Sequence, residues 1–227
     1  MNYYVIFLGV IVLILLYFLY VNYVSSSTVL NPLVNLNNKT VDIEYNDLVK
    51  RGSSRYSYGV WIYINSWSSN NIKTIISRGS SSDAKTDFIL YLDQNSPILR
   101  CMINDGTNSK QFPQDSIVIT NNFPIQKWTY VIVSVDNQII DFYLDGKLVL
   151  SKKIDYIPKL SEKSISLGDG KSNDIFLANV VRTPNPTDPQ TAWNSYLSGN
   201  GQNNNSNMNI KLAVLQDNVE QKQFTLL

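Results

Sequence analysis

The chain has 227 residues with 19 basic and 18 acidic side chains, a formal net charge of +1, and no histidine. Near-neutral charge without a basic block excludes a nucleic-acid binder, and the lack of histidine excludes Ser-His-Asp or Cys-His catalysis and any His-ligated metal. The single cysteine, Cys101, cannot form an intrachain disulfide, which favours a reducing compartment.

The first element is an apolar run from Tyr3 to Val24 without a single charge. At about 1.5 Å rise per residue it is long enough to cross a hydrocarbon core of about 30 Å. Tyr3, Tyr4, Tyr17, Tyr20 and Tyr23 cluster toward its ends, as in an interfacial aromatic belt. A cleaved signal peptide is the rival reading, with Ser25-Ser26-Ser27 as small residues at a cleavage site. The missing basic start and the length of the run argue for an uncleaved anchor over residues 1–24. The first basic residues, Lys39, Lys50 and Arg51, follow the span, which favours a cytosolic C-terminal side. Asn38-Lys39-Thr40 and Asn204-Asn205-Ser206 match the glycosylation pattern, as chance would supply in a chain this rich in Asn and Ser.

Residues 25–40 read as a polar linker containing Pro32, and residues 41–227 as one domain. From Val41 the pattern alternates with period two. "VDIEY", "YSYGVWIYINSW", "KTIISRG", "DFILYLD", "ILRCMIND" and "DSIVIT" are short strand candidates closed by Gly, Asp, Asn or Ser. In the second of these, Tyr58, Val60, Ile62 and Ile64 share one face and Trp61 and Tyr63 the other. "WTYVIVSVDNQIIDFYLDGKLVLSKKI" reads as three strands in a meander. Asp145-Gly146 forms its hairpin turn, because Gly accepts the positive φ of a type I′ turn and Asp tolerates it. "SISLGDG" and "DIFLANVVR" continue the series. Asp188 and Pro189 then open a short helix with a stripe of Ala192, Trp193, Tyr196 and Leu197, ended by Gly199. After the low-complexity "GNGQNNNSN", "NIKLAVLQD" and "KQFTLL" form a last hairpin. Two apolar sheet faces must meet for such a chain to fold, and Trp61 and Trp128 are the expected core anchors.

Several of these segments together resemble the laminin G-like branch of the concanavalin A-like lectin/glucanase superfamily. The matching residues are Val60-Trp61-Ile62, Ile75 to Gly79, Lys127-Trp128 and Tyr143-Leu144-Asp145-Gly146, within Val41 to Val181. The resemblance implies an all-β antiparallel jelly-roll sandwich, here with one short helix and an N-terminal transmembrane helix. The anchor, the helix-and-loop "WNSYLSGNG" and the last hairpin also resemble membrane-anchored virion proteins of large nucleocytoplasmic DNA viruses. That likeness implies a non-enzymatic structural protein on a virion internal membrane. Its domain would sit on the cytosolic, capsid-facing side and contact capsid or minor capsid proteins. The alternative is a lectin-like module on a membrane stalk.

No residue set for chemistry stands out. Glucanases of the resembled superfamily need spaced carboxylates on a Glu-x-Asp-x-x-Glu strand, and the chain's only three glutamates, Glu44, Glu162 and Glu220, have no companion carboxylates at that spacing. Rim calcium is weighed at Asp83, Asp87, Asp105, Asp169 and Asp174, but turns use the same residues for their own backbone. No cofactor is expected. "SLGDGKSND" lacks phosphate-loop spacing and reads as a hairpin turn. Cys101, mid-strand, reads as a small buried side chain. Trp67, in a Ser/Asn loop, and Trp193 and Tyr196 are the candidate partner or glycan contacts, although packing on the sandwich is the more economical use of each.

Overall fold

The computed structural model describes residues 3–24, 28–37, 41–79, 86–104, 114–158, 162–171, 173–201, 210–216 and 219–226. An uncharged helix, α1 (Tyr3–Val24), is followed by strands β1 (Thr28–Asn35), β2 (Val41–Ile43), β3 (Arg55–Ile64), β4 (Lys73–Arg78), β5 (Phe88–Leu92), β6 (Leu99–Ile103) and β7 (Ile117–Thr120). Then come β8 (Thr129–Asp136), β9 (Ile139–Leu144), β10 (Lys147–Lys153), β11 (Ile165–Leu167) and β12 (Ile175–Thr183), followed by helix α2 (Pro189–Leu197) and strands β13 (Ile210–Gln216) and β14 (Val219–Leu226).

Twelve of the strands form two six-stranded antiparallel sheets. The first has the order β1-β12-β3-β8-β9-β10 and the second β2-β11-β4-β5-β6-β7; β13 and β14 pair only with each other. The two-sheet sandwich with one short helix is that of a jelly roll. Period-two alternation decides which side chains meet between the sheets. From the first sheet come Tyr58, Val60, Ile62 and Ile64 of β3 and Val131, Val133 and Val135 of β8. From the second come Phe88, Leu90 and Leu92 of β5 and Leu99, Cys101 and Ile103 of β6. At one end, the fully buried Arg182 donates to the Val49 and Lys50 carbonyls at 2.7 and 3.4 Å, and Arg78 donates to the Arg51 carbonyl at 3.1 Å. These bonds close the sandwich with the loop that follows a 3-10 turn at Tyr45–Asp47.

The meander of β8, β9 and β10 forms as expected. Its turns place Asn137, Asp145 and Gly146 in the left-handed region, with φ of 54°, 47° and 76°.

Three segments differ from the reading of the sequence. Thr28–Asn35 is a strand instead of a connector: β1 pairs along β12, with a register shift between Val29 and Asn31. The shift and Pro32 interrupt the alternation that would have betrayed it. Proline is tolerated there because β1 is an edge strand, with one row of backbone groups unpaired. The "SLGDG" turn is not a hairpin, since it carries the chain from β11 in the second sheet to β12 in the first. Trp61 and Trp128 do not lie between the sheets. Trp61 alternates with Val60 and Ile62, so it faces outward; it is buried there under other residues, and Trp128 is half-buried beside it.

The helix α1 forms over the expected span, and the apolar side chains from Phe7 to Leu19 are exposed. Among the described residues no helix is long and apolar enough to cross a membrane.

Candidate functional site: the outer face under helix α2

The outer face of the first sheet carries a second apolar cluster of Trp61, Tyr130, Ile132, Tyr143, Ala178 and Ala192, with Trp128 and Tyr196 packed against it. Helix α2 is the lid of this cluster. It begins where Asp188 accepts hydrogen bonds from the Gln190 and Thr191 backbone N–H groups at 2.9 and 3.0 Å and from the Thr191 hydroxyl at 2.6 Å. These bonds hold the Asp188 carboxyl below its ordinary pKa. Pro189 follows at the first helical position, where its missing N–H costs nothing. The helix stops at Ser198 and Gly199, the latter at φ +74°.

The strap before the helix is pinned to the sheet through Thr187. Its carbonyl accepts from the Tyr143 hydroxyl at 3.2 Å and its N–H donates to the Ser134 hydroxyl at 2.8 Å.

Helical periodicity sorts the side chains of α2 into three faces. Ala192 points to the sheet and is fully buried. Trp193 and Tyr196 occupy one flank. Thr191, Ser195 and Ser198, spaced i, i+4 and i+7, occupy the other. Leu197, expected in the apolar stripe, is 64% exposed, since the packed face is narrower than four residues.

The aromatic flank continues the cluster as a run of ring contacts. Tyr130 stacks on Trp61 at 5.0 Å, Trp61 on Tyr196 at 5.6 Å, and Tyr196 meets Trp193 at 5.5 Å. The β9–β10 turn sits against this flank. A Cβ on Gly146 would lie 2.9 Å from Trp193 Cε3 and 3.1 Å from both Trp193 Cα and Tyr196 Cβ. Asp145, beside it, is held by the Tyr130 N–H on Oδ1 at 2.9 Å and by the Lys127 ammonium on Oδ2 at 3.2 Å.

Between turn and helix lies an open cleft of about 390 Å³, lined among others by Asn122, Thr129, Asp145, Lys147, Trp193 and Tyr196. Trp193, 38% exposed, is among the residues that line it. Thus Trp193, Tyr196, Asp145 and Gly146, singled out separately in the sequence, come together at one place. Asn122 and Lys147 join them without any signal in the sequence beyond polarity. An aromatic side chain beside a fixed carboxylate and further polar groups is a surface that takes a ligand with an apolar ring face and polar edges.

Trp67 is elsewhere. It is half-buried against the inter-sheet core, and the Lys73 ammonium lies 4.2 Å over its ring. Lys73 is itself buried, donates to the Asn71 carbonyl at 3.0 Å, and is pulled down in pKa by desolvation against the opposing pull of Asp169 and Asp93.

Of the aspartates weighed for calcium, Asp83 and Asp105 lie outside the described residues. Asp174 accepts from Asn65 and Ser66 at 2.7 and 2.9 Å, and Asp169 from Asn173 at 3.2 Å. Asp87 is buried at the start of β5. Among the described residues no group of three or more potential metal ligands forms. Cys101 is fully buried between the sheets, and burial pushes its thiol pKa far up.

The family model of the concanavalin A-like lectin/glucanases superfamily matches residues 36–181, more than half of the chain. The chain belongs to that superfamily. Its matched span covers most of the sandwich and ends before α2, so Trp193 and Tyr196 lie beyond it.

Among solved structures, the chain is similar to the binding domain of botulinum neurotoxin DC, solved in complex with rat synaptotagmin II. The TM-score is 0.55 at 19% identity, covering 70% of this chain and 40% of that one. It is similar to the botulinum neurotoxin serotype D binding domain with TM-score 0.58 and 15% identity, covering 73% and 41%. A botulinum neurotoxin type C structure, described as depending on two ganglioside molecules for cell entry, matches with TM-score 0.50 and 20% identity, covering 63% and 35%. The chain thus spans about two fifths of these structures, and at such identities the likeness is one of fold. No curated protein matches the sequence.

Proposed function

We propose that the protein is a non-enzymatic binding module, tethered to a membrane by α1, that recognises glycans at the aromatic cleft beside α2. One observation carries the reading: the partly exposed Trp193 lines a cleft in which the Asp145 carboxylate is already held in place. A pyranose offers a C–H face to stack on indole and hydroxyls to meet Asn122, Asp145 and Lys147, and a preorganised site loses little entropy on binding. The membership in a lectin-bearing superfamily supports it, and so does the fold likeness to toxin binding domains. Exposed apolar side chains along α1 support the tether.

A glycan array probed with the full-length protein tests this. Specific binding is expected, and Trp193→Ala is expected to weaken it about tenfold, the effect of about 1.4 kcal/mol of lost contact. Binding indifferent to Trp193→Ala refutes the assignment.

A second reading is a scaffold between a virion internal membrane and capsid or minor capsid proteins, with the domain on the cytosolic side. It is favoured by β10, an edge strand with Leu148 and Val149 both about half exposed, available for pairing with another chain. Cross-linking in purified particles would place capsid proteins beside Lys147, Lys152 or Lys153 if this reading holds.

A further inference from the structure

On the other flank of α2 lies a second cleft, of about 220 Å³, between the helix and strands β3, β8 and β12. None of its lining residues is charged, and eight carry a hydroxyl or amide: Ser57, Tyr130, Asn179, Thr183, Thr187, Thr191, Ser195 and Ser198. That chemistry comes from four separate stretches of chain and points at one small space. We propose that this cleft is a binding site for one uncharged polyhydroxylated ring, such as a single neutral sugar residue, separate from the aromatic cleft.

Three features of the cleft go beyond mere polarity. First, the hydroxyl protons are largely committed inside the protein. Thr187 donates to Ser57 at 2.7 Å, Ser57 to the Asn185 carbonyl at 3.2 Å, Thr191 to Asp188 at 2.6 Å, and Ser198 to the Asn194 carbonyl at 2.9 Å. Each hydroxyl so used keeps at least one lone pair, Ser57 included although it accepts from Thr187, and the cleft therefore offers acceptors. A ligand rich in hydroxyl donors and without charge is its complement; an ion would be desolvated there without a counter-charge.

Second, Asn179 sits at the cleft in the left-handed region, φ 46°, at the point where the β12–β3 register shifts between Ala178 and Val181. A bulge with a non-glycine residue in that conformation is a local cost retained by the fold, and it re-aims one side chain. The Asn179 amide makes no hydrogen bond among the described residues, so its donors and its acceptor are available.

Third, the floor is built by close approach. Gly59 lies mid-strand where a Cβ would be 2.6 Å from the Tyr130 hydroxyl. The missing side chain lets that hydroxyl lie across the strand, within hydrogen-bonding reach of Ser195. The volume lies below the roughly 300 Å³ at which pockets for drug-sized ligands begin, which limits the occupant to about one ring.

The test uses full-length protein in nanodiscs free of glycosidic detergent. Saturation-transfer NMR is run with D-glucose, D-galactose, D-mannose and N-acetyl-D-glucosamine, and with glucuronate and glucosamine as charged controls. At least one neutral sugar is expected to receive saturation, and the charged controls much less. The measurement is repeated in the Trp193→Ala background, where the aromatic cleft is weakened and the neutral-sugar signal that remains reports the hydroxyl-lined cleft. Asn179→Gly removes the free amide while relieving the left-handed backbone, so it should fold at least as well. Ser195→Leu fills the space with a good helix former. Each is expected to weaken the neutral-sugar signal about tenfold, with Asn179→Gly decisive should Ser195→Leu lower the melting temperature. The proposal is overturned if no neutral sugar receives saturation, if the charged sugars do equally well, if Asn179→Gly leaves the signal unchanged, or if Trp193→Ala alone abolishes it.

Discussion

Replacing Gly146 by alanine tests the seating of α2 on the β9–β10 turn, on which the aromatic cleft depends. Two costs combine. The backbone at φ +76° is left-handed, and an L side chain there costs about 1–2 kcal/mol. The new methyl would also meet Trp193 at 2.9 and 3.1 Å and Tyr196 at 3.1 Å, so the helix must back away from the sheet. Partial loss of the contacts around Ala192 and Tyr196 adds about 1–3 kcal/mol, the range for overpacking. The sum is about 2–5 kcal/mol, or a melting-temperature drop of roughly 4–20 °C for a domain of this size.

Gly199→Ala is the built-in control. Its φ of +74° is nearly the same, yet nothing lies within 4 Å of its Cβ, so it carries the backbone cost alone. Thermal melts of both variants by circular dichroism, with tryptophan emission read in parallel, measure the difference. Gly146→Ala should melt lower than Gly199→Ala and shift emission to the red as Trp193 and Trp61 gain water. Equal melting temperatures for the two would refute the packing of α2 on the turn.

Three further outcomes are expected. Asp188→Ala should cost about 1 kcal/mol, as removal of a helix cap does, while Asp188→Asn keeps an accepting oxygen and most of the stability. The folded carboxyl titrates lower than the unfolded one. Its contribution is therefore present above the ordinary carboxylate pKa and lost as pH falls through the lowered folded value, which a pair of urea melts at neutral and acid pH would show for wild type but not for Asp188→Ala. At the alkaline end, burial pushes the Tyr130 phenol up to about 12. That stabilisation is complete below the unfolded value near pH 10 and is lost between about 10 and 12, so phenolate absorbance should lag behind that of the unfolded chain and then rise with unfolding. Cys101 should resist a thiol reagent in the native protein and react at the rate of unfolding, since its thiol is fully buried and desolvated; rapid native labelling would contradict its place between the sheets.

Strands β2 to β12 were legible because alternation and turn residues agree at each of them, and Asp145-Gly146 announced its hairpin. β1 was not, because a register shift and Pro32 broke the same alternation. The partition of Trp61 from Val60 and Ile62 was visible in the period, but what covers that outer face was not: a helix more than a hundred residues later supplies it. Trp193 and Tyr196 were found as a helical stripe, whereas Trp67, equally conspicuous in its polar loop, turned out to lie under the Lys73 ammonium. The hydroxyl-lined cleft was invisible in one dimension. Ser57, Asn179, Thr187 and Ser195 are ordinary residues far apart in the chain, and nothing in their local patterns marks them as neighbours.

The early strand β1 also sets mechanics. Only Ser25, Ser26 and Ser27 separate the end of α1 from a strand knitted to β12. At about 3.5 Å per residue those links reach no more than about 14 Å. With the membrane tether proposed for α1, the module would be leashed short and a target would have to come to it. Any tug arriving from the N-terminus falls directly on the β1–β12 ladder, so the hold of that rim strand would decide how much force the attachment survives.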